Sequence, residues 1–378
     1  MNDLLDMIKE LESIGENPYT SILNSIKETG KQAVGCFPIY TPEEIVYAAG
    51  MLPVGMWGGQ SVGQLADKYL QSFCCSIMKA NTEQALMKKY DFLSAVILTT
   101  FCDTLKCTIE NWKVASPQLK LIPMVYPQNR KIEAGRQFLQ EELIRVMAEL
   151  ESITGEKITE EALKESVDLY DDYRKAMQEF VDLVPDYPKL FHAKRRHLII
   201  KAAYFMDKKI YTEKMKKLIQ ALKEVSEEQV KKKKIIITGL ISEPDGMLDI
   251  LTENNIVIAA DDLAHESRQF RTIAPNEGGA LTRMTERIAL QDGCAFLYDE
   301  AKSRGRRLID MAKKYDADGI VFCQLKFCDP EEFDYPIIKK ELEEEKIPVL
   351  YIEIEQQMDS LEQLRTRIQS FAEMLGTA

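Results

Sequence analysis

The chain has 378 residues, a formal net charge of −12 and a pI near 5.1. This acidic balance, without an evident basic face, argues against nucleic acid as a partner. No run of 18 apolar residues occurs, and acids interrupt the apolar positions near the N-terminus, so we expect neither a membrane span nor a signal peptide. We therefore expect a cytoplasmic protein of two or three domains, whose eight cysteines are not disulfide-bonded.

The first 132 residues predict a helical cap followed by an α/β lobe. Residues 1–30 read as two short amphipathic helices, broken at Asn17-Pro18 and closed by Gly30. In residues 31–132, apolar runs alternate with helical stretches, which is typical of a parallel sheet. Thr41-Pro42-Glu43-Glu44 predicts a capping box at the start of one helix. The predicted strands are 33–39, 52–56, 93–99 and 119–125.

The remainder predicts a helical segment and a second α/β lobe. Residues 133–230 carry helical periodicity with dense charge. The lysine run 231–234 then marks a solvated boundary, and residues 231–378 form the second lobe. We therefore expect two Rossmann-like lobes with parallel sheets, a helical middle segment and an N-terminal helical cap. The strands predicted in the second lobe are 235–239, 256–260, 319–325 and 348–353.

Three cysteines share one local pattern, because each stands just before a residue that commonly caps a helix. Two of them follow apolar runs that read as buried strands, and ligands bind at that edge of an open α/β sheet. Capping by Ser76, Asp103 and Asp329 would place each sulfur at a helix N-terminus, which lowers a thiol pKa. This common geometry predicts one shared metal site. The stretches are Phe73-Cys74-Cys75-Ser76, Phe101-Cys102-Asp103 and Phe327-Cys328-Asp329.

The other cysteines are expected to pack in the core, as free cysteine commonly does. None has a spacing that matches a metal-binding pattern. They are Cys36, Cys74 (unless Cys74 rather than Cys75 belongs to the shared metal site), Cys107, Cys294 and Cys323.

Longer motifs run almost from end to end of the chain. On these residues the chain resembles the smaller (β) subunit of the (R)-2-hydroxyacyl-CoA dehydratases. This radical-type family includes lactoyl-, 2-hydroxyglutaryl-, 2-hydroxyisocaproyl- and phenyllactoyl-CoA dehydratases and is distantly related to benzoyl-CoA reductase subunits. The motifs are Gly35-Cys36-Phe37-Pro38, Ala48-Ala49-Gly50-Met51-Leu52-Pro53, Cys75-Ser76-Ile77-Met78, Cys102-Asp103-Thr104-Leu105, Pro127-Gln128-Asn129-Arg130, Ala260-Asp261-Asp262-Leu263, Glu266-Ser267-Arg268, Cys328-Asp329-Pro330-Glu331-Glu332-Phe333, and Thr366-Arg367-Ile368-Gln369-Ser370-Phe371.

The resemblance implies a 4Fe-4S cluster held by three cysteines, with a fourth iron position that no protein cysteine fills. The matching positions are Cys75, Cys102 and Cys328. Cys75 is favoured over Cys74 because Ser76-Ile77-Met78 follows it, as in the family. Spacing alone would not identify this site, since ferredoxin signatures place ligands a few residues apart.

The resemblance also implies a hydro-lyase reaction and two protein partners. An ATP-dependent iron-sulfur activator protein would deliver one electron, and a substrate ketyl radical would lose water in a syn-type reaction to give an (E)-2-enoyl-CoA. The larger (α) subunit would bind most of the 2-hydroxyacyl-CoA, while this chain relays or stores the electron. The chain has no GxxxxGK[ST] pattern, so ATP is expected on the activator.

No catalytic residue is assigned to this chain. Its only histidines are His192, His197 and His265, and the first two lie in a charged helical stretch, so histidine-led nucleophilic catalysis is not expected. Acid/base work would fall to carboxylates, cluster-bound water or the substrate. The acyl group stays open, although a small or branched aliphatic acid is favoured over glutarate.

Several polar residues have two readings each. Glu43 and Glu44 are active-site carboxylates or, as we favour, part of a helix cap. Asp261-Asp262 contacts a ligand or partner, or caps the next helix. Arg268 and Arg271 contact a CoA phosphate or the sister subunit, or they form salt bridges, which is the commoner case.

Two alternative functions share part of this pattern. A benzoyl-CoA-reductase-like subunit would hold the same cluster but serve the reduction of an aromatic ring. A non-enzymatic protein would use the three cysteines for structural zinc, which requires a fourth protein ligand.

Overall fold

The computed structural model describes residues 2–59, 63–226 and 232–376, and it contains two α/β lobes with a helical segment between them. Each lobe has a four-stranded parallel sheet, and both sheets have the same strand order. The first sheet has the order β2-β1-β3-β4, with β1 (Ala33–Cys36), β2 (Leu52–Gly55), β3 (Leu93–Thr99) and β4 (Leu121–Met124). The second has the order β6-β5-β7-β8, with β5 (Lys233–Gly239), β6 (Ile256–Leu263), β7 (Gly319–Leu325) and β8 (Val349–Ile354).

Helices cover both sheets and form the middle of the chain. The N-terminal and first-lobe helices are α1 (Asn2–Glu16), α2 (Pro18–Thr29), α3 (Glu43–Ala48), α4 (Ser76–Leu86) and α5 (Asp103–Ala115). The middle segment contains α6 (Glu133–Thr154), α7 (Glu160–Leu183), α8 (Ala193–Ala202) and α9 (Lys208–Lys223). The second lobe contains α10 (Asp245–Glu253), α11 (Ser267–Phe270), α12 (Ala280–Ala289), α13 (Arg304–Lys314), α14 (Asp329–Glu344) and α15 (Glu362–Leu375).

The predicted α/β class with two parallel sheets is confirmed, and the strand ends differ in instructive ways. All seven residues of β7 are buried, as expected for a parallel strand covered on both faces. β1 ends at Cys36 rather than residue 39, shortly before Pro38, which has no backbone N–H for a ladder. β6 continues past Ala260 to Leu263, because arginines neutralise the buried acids within it.

The N-terminal helices are those predicted, with a break before Pro18 and Gly30 in the left-handed conformation at φ 66°. Leu4, Ile8 and Leu11 of α1 belong to one hydrophobic cluster with residues of α7, α8 and α9. The first helix is therefore a layer of the helical core. The division into segments 1–30, 31–132, 133–230 and 231–378 stays a prediction.

The predicted capping box at the start of α3 is wrong. Pro42 stands at the cap position, and the Thr41 hydroxyl donates to the carbonyl of Phe37 instead of capping the helix. Glu44 is fully buried and forms ion pairs with Arg174 of α7 and, at 3.4 Å, with Arg287 of α12. Glu44 therefore has a structural role through this contact between three helices.

Two further expectations concern the surface. No helix in the described ranges is long and apolar enough to cross a membrane. The lysine run at 231–234 lies partly outside the described residues, and its last two members begin β5.

Candidate metal centre

The structure brings Cys75, Cys102 and Cys328 together on the wall of one pocket of about 430 Å³. Cys75 and Cys102 precede α4 and α5 of the first lobe, and Cys328 precedes α14 of the second. Cys102 follows β3 and Cys328 follows β7, which occupy equivalent places in the two sheets. The site therefore lies where both lobes present the carboxyl ends of their strands, as expected for a ligand site in this class of fold.

Each of the three cysteines occupies the N-cap position of its helix. The prediction that Ser76, Asp103 and Asp329 cap these helices is wrong, since they are the first helical residues. The Sγ of Cys102 accepts a hydrogen bond from the backbone N–H of Leu105 at 3.4 Å. The sulfur atoms themselves therefore lie at the helix N-termini.

The expectation of lowered thiol pKa values is also wrong. Burial raises the pKa of Cys75 to about 12, against the opposing effect of nearby backbone N–H groups. Burial likewise raises the pKa of Cys102. The pKa of Cys328 is raised by burial, then by the nearby Glu331 carboxylate and by Cys75. The free thiols are therefore neutral at pH 7, and metal binding would release their protons, since a coordinating thiol is deprotonated.

Apolar side chains form much of the pocket wall. Ile39, Ile77, Phe101, Leu240 and Phe296 line it beside the cysteines. Charged and polar side chains line the rest of the pocket, which opens to solvent. Solvent exposure is one of the factors that set the potential of a metal centre.

A buried cluster of arginines and acids fixes the helix that carries Cys328. We call Asp262, Arg268, Arg271, Arg304 and Glu331 the arginine–carboxylate cluster. Glu331, in the first turn of α14, contacts Arg268 at 3.0 Å and Arg304 at 2.7 Å. Asp262 of β6 contacts Arg268 at 3.0 Å and Arg304 at 3.2 Å, and it also pairs with Arg271.

These contacts answer two questions that the sequence left open. Asp262, Arg268 and Arg271 hold one another in ion pairs, so the salt-bridge reading applies to both arginines. Burial acts to raise the pKa of Asp262, but the arginines outweigh it and hold that pKa far below its usual range. The cluster joins β6 and α13 to the first turn after Cys328 and thereby positions the thiol.

Asp261 and Glu43 are likewise held by neighbouring residues. Asp261 pairs with Arg196 of α8 and accepts hydrogen bonds from the backbone N–H groups of Leu263 and Ser267, at 3.1 and 2.9 Å. Glu43 contacts Lys208 at 3.2 Å and accepts a hydrogen bond from the hydroxyl of Tyr170. Neither carboxylate lines the cysteine pocket.

Two residues that join the lobes around the site were not singled out from the sequence. Arg130, fully buried, donates to the carbonyls of Ile288 at 2.7 Å and of Tyr298 at 2.5 Å, and so fixes the segment that contains Phe296. The backbone N–H of Gln356 donates to the hydroxyl of Ser76 at 3.1 Å. Arg130 belongs to the motif Pro127-Gln128-Asn129-Arg130, which was the sequence signal that could have pointed to it. No motif pointed to Gln356.

The remaining cysteines lie outside this pocket. Cys36, Cys74, Cys294 and Cys323 are buried, as predicted. Cys107 is exposed, so its assignment to the core is wrong. It lies on α5 five residues after Cys102, on a different part of the helix surface.

Comparison with known proteins agrees with the sequence motifs. A family model described as "2-hydroxyglutaryl-CoA dehydratase, D-component" matches residues 38–375. The chain belongs to this family. Members with similar sequences include the (R)-phenyllactyl-CoA dehydratase β subunit of Clostridium sporogenes, 44% identical over 97% of this chain and 98% of that protein.

Two further relatives also match over nearly their full lengths. The lactoyl-CoA dehydratase subunit β of Anaerotignum propionicum is 44% identical over 98% of both chains. The (R)-2-hydroxyglutaryl-CoA dehydratase subunit β of Acidaminococcus fermentans is 35% identical over 98% of this chain and 99% of that protein. All three relatives are β subunits of dehydratases, so the predicted resemblance to this group is confirmed.

Proposed function

We propose that this chain is the β subunit of an (R)-2-hydroxyacyl-CoA dehydratase and carries a 4Fe-4S cluster on Cys75, Cys102 and Cys328. The observation that carries the proposal is the meeting of these three thiols, distant in sequence, in one pocket between the lobes. The whole enzyme would remove water from a 2-hydroxyacyl-CoA, through a substrate ketyl radical, to give an (E)-2-enoyl-CoA.

The residues of the pocket fit such a cluster. Three thiols provide the sulfur ligands, and the fourth iron position would be left to a ligand from outside the protein. Bound there, the cluster would accept one electron and release it again. The chain itself would hold the cluster at three helix N-termini, cover part of it with apolar side chains, and fix Cys328 through Arg268 and Glu331.

The spacing of the three thiols favours a cluster over a single zinc ion. Thiolates around one tetrahedral zinc lie about 3.8 Å apart, given Zn–S bonds of about 2.3 Å. Among the described residues, the set of three possible ligand atoms that lie within 4.8 Å of one another is elsewhere in the molecule. The sulfur atoms of Cys75, Cys102 and Cys328 are not that close together. The thiols therefore stand farther apart than the donors of one zinc ion, which leaves space for a larger group such as a cluster.

Exposed aromatic residues near the pocket support a protein partner. Phe333 of α14 is 81% exposed, and Phe73, two residues before Cys75, is 64% exposed. Phe327 lines the pocket with Phe333 and has a left-handed backbone at φ 64°, immediately before Cys328. Grouped exposed apolar side chains mark contact surfaces. We assign this surface to the larger (α) subunit, which would bind most of the acyl-CoA.

Reconstitution with the other components tests the function. The chain would be purified anaerobically with its co-expressed α subunit and supplied with activator protein, ATP and a series of 2-hydroxyacyl-CoAs. We expect enoyl-CoA formation that depends on all components, falls at least about 100-fold in Cys328→Ala, and persists in Cys107→Ala. Reduction of benzoyl-CoA without dehydration of any 2-hydroxyacyl-CoA would instead support the benzoyl-CoA-reductase-like alternative. Activity without this chain would contradict the proposal.

A further inference from the structure

A second group of potential metal ligands lies in the interior, outside the cysteine pocket. His197 of α8, Glu243 after β5 and His265 after β6 each offer one ligand atom, and these atoms lie within 4.8 Å of one another. We call these three residues the His–Glu–His cluster. All three side chains are buried, and none of them lines the cysteine pocket. The cluster joins the helical segment to the second lobe.

The ring of His197 is oriented as in many metal sites. Its Nδ1 contacts Oε1 of Glu266 at 2.8 Å and the hydroxyl of Ser242 at 3.0 Å. Its Nε2 faces Oε1 of Glu243 at 3.6 Å and has no hydrogen-bond partner. A carboxylate on one nitrogen, with the other nitrogen left free, is the usual arrangement around a metal-binding histidine.

The buried ring of His265, whose nitrogens lack hydrogen-bond partners, also points to a ligand. Its ring is fully buried between Trp57, with centroids 4.4 Å apart, and Tyr204, with centroids 5.0 Å apart. Neither ring nitrogen has a hydrogen-bond partner. Leaving a buried polar group unsatisfied costs about 1–3 kcal/mol, so natural sequences rarely keep one without a function.

The charges around the cluster also leave room for a cation. Three buried acids, Glu243, Glu266 and Asp261, face two bases, Lys201 and Arg196. With both imidazoles neutral, this group carries one net negative charge. Buried charge without a partner is strongly unfavourable, so a cation is needed. A proton on one imidazole would cancel this charge, and a divalent metal ion would more than cancel it.

We propose that the His–Glu–His cluster binds a divalent metal ion of the zinc type. Two imidazole nitrogens and one carboxylate oxygen form a donor set that zinc commonly uses. Two donors about 2.0 Å from a tetrahedral ion are about 3.3 Å apart, close to the 3.6 Å between His197 and Glu243. Gln356, two residues after the end of β8, donates to the other oxygen of Glu243 at 2.7 Å and so holds the carboxylate. The ion would tie α8 to the second lobe, independently of the cysteine centre.

Metal analysis tests this site separately from the iron-sulfur proposal. Wild-type protein, purified after growth with zinc, would be analysed for zinc by plasma mass spectrometry and for its donor atoms by zinc K-edge X-ray absorption. The same measurements would be made on His265→Phe, which keeps an aromatic ring between Trp57 and Tyr204, on Glu243→Gln, and on a variant with all three pocket cysteines replaced by serine. His192→Asn is the matched control, because His192 caps the same helix outside the cluster.

We expect about one zinc ion per chain with nitrogen and oxygen donors only. It should persist in the triple cysteine variant and in His192→Asn, and fall at least about tenfold in Glu243→Gln and His265→Phe. Removal of zinc by a chelator should lower the melting temperature of wild type, and added Zn²⁺ should restore it. A wild-type protein without zinc, sulfur among the donors, or zinc that survives both substitutions would overturn the proposal. Should His265→Phe fail to fold, Glu243→Gln and the wild-type chelation experiment still decide.

Discussion

Replacing Glu331 by glutamine should destabilise the second lobe and loosen Cys328. The carboxylate is fully buried and contacts Arg268 at 3.0 Å and Arg304 at 2.7 Å. Asp334 lies 3.5 Å from Arg304. Glu331, Asp262 and Asp334 are therefore three acids that balance the three arginines of the cluster. The substitution leaves one buried positive charge without compensation. Removing one partner of a buried ion pair costs about 3–5 kcal/mol, and glutamine keeps the volume and one acceptor, so we expect about 3 kcal/mol.

Thermal unfolding of the anaerobically purified protein measures this effect. A loss of about 3 kcal/mol should lower the melting temperature of a lobe of this size by about 6–12 °C. Glu332→Gln is the matched control, because Glu332 is the exposed neighbour in the same helix turn and should shift it little. Since α14 begins beside Cys328, Glu331→Gln should also reduce bound iron. Equal melting temperatures for the two variants would refute the assigned role of the arginine–carboxylate cluster.

Three further changes test other contacts. Burial acts to raise the pKa of Glu44, but its arginine partners lower that pKa from 4.5 to about 2. The charged carboxylate should therefore stabilise the folded protein by about 3 kcal/mol above pH 4.5, and this stabilisation should be lost as the pH falls towards 2. Unfolding curves of wild type and Glu44→Gln at several pH values should resolve this dependence. Phe333→Glu should weaken association with the α subunit at least about tenfold in pull-down titrations, whereas Val114→Glu, about 18 Å along α5 from Cys102, should not. Arg130→Lys keeps the charge but not the fork that holds three carbonyls, so iron should be lost several-fold faster in air than in Arg367→Lys, the control at an exposed arginine.

Each of these expectations has a contrary result. Parallel acid-unfolding curves for wild type and Glu44→Gln would show that the buried pair does not stabilise the charged carboxylate. Equal effects of the substitutions at Phe333 and Val114 would remove the partner surface from α14. Equal rates of iron loss in the two arginine variants would mean that Arg130 does not control access to the pocket.

The alternation of apolar runs and helical periodicity was sufficient to predict both sheets. The segment Phe-Cys-Asp, which follows both β3 and β7, also indicates equivalent places in the two lobes. Such local patterns are reliable because they reflect the period of one element and the geometry at its end. They could not show that the cysteine, rather than the next residue, occupies the cap position.

Long-range polar contacts were beyond the sequence. Glu44 has the local sequence of a capping residue. Its actual partner, Arg174, lies 130 positions further on and cannot be recognised from the local pattern. The same holds for the acids of β6, whose arginines come from α8, α11 and α13. The thiol pKa values were misjudged for a related reason, since burial by both lobes outweighs the local effect of a helix N-terminus.

The iron and sulfide content of the anaerobically purified chain, with its co-expressed α subunit, tests the central claim most directly. Wild type and Cys107→Ser should each contain about four irons and four sulfides in this chain, with absorbance near 400 nm that bleaches in air. Single serine substitutions of Cys75, Cys102 or Cys328 should each deplete iron, sulfide and absorbance. A wild-type chain without iron and sulfide, or iron unchanged by all three substitutions, would contradict the cluster site and with it the proposed electron-carrying role.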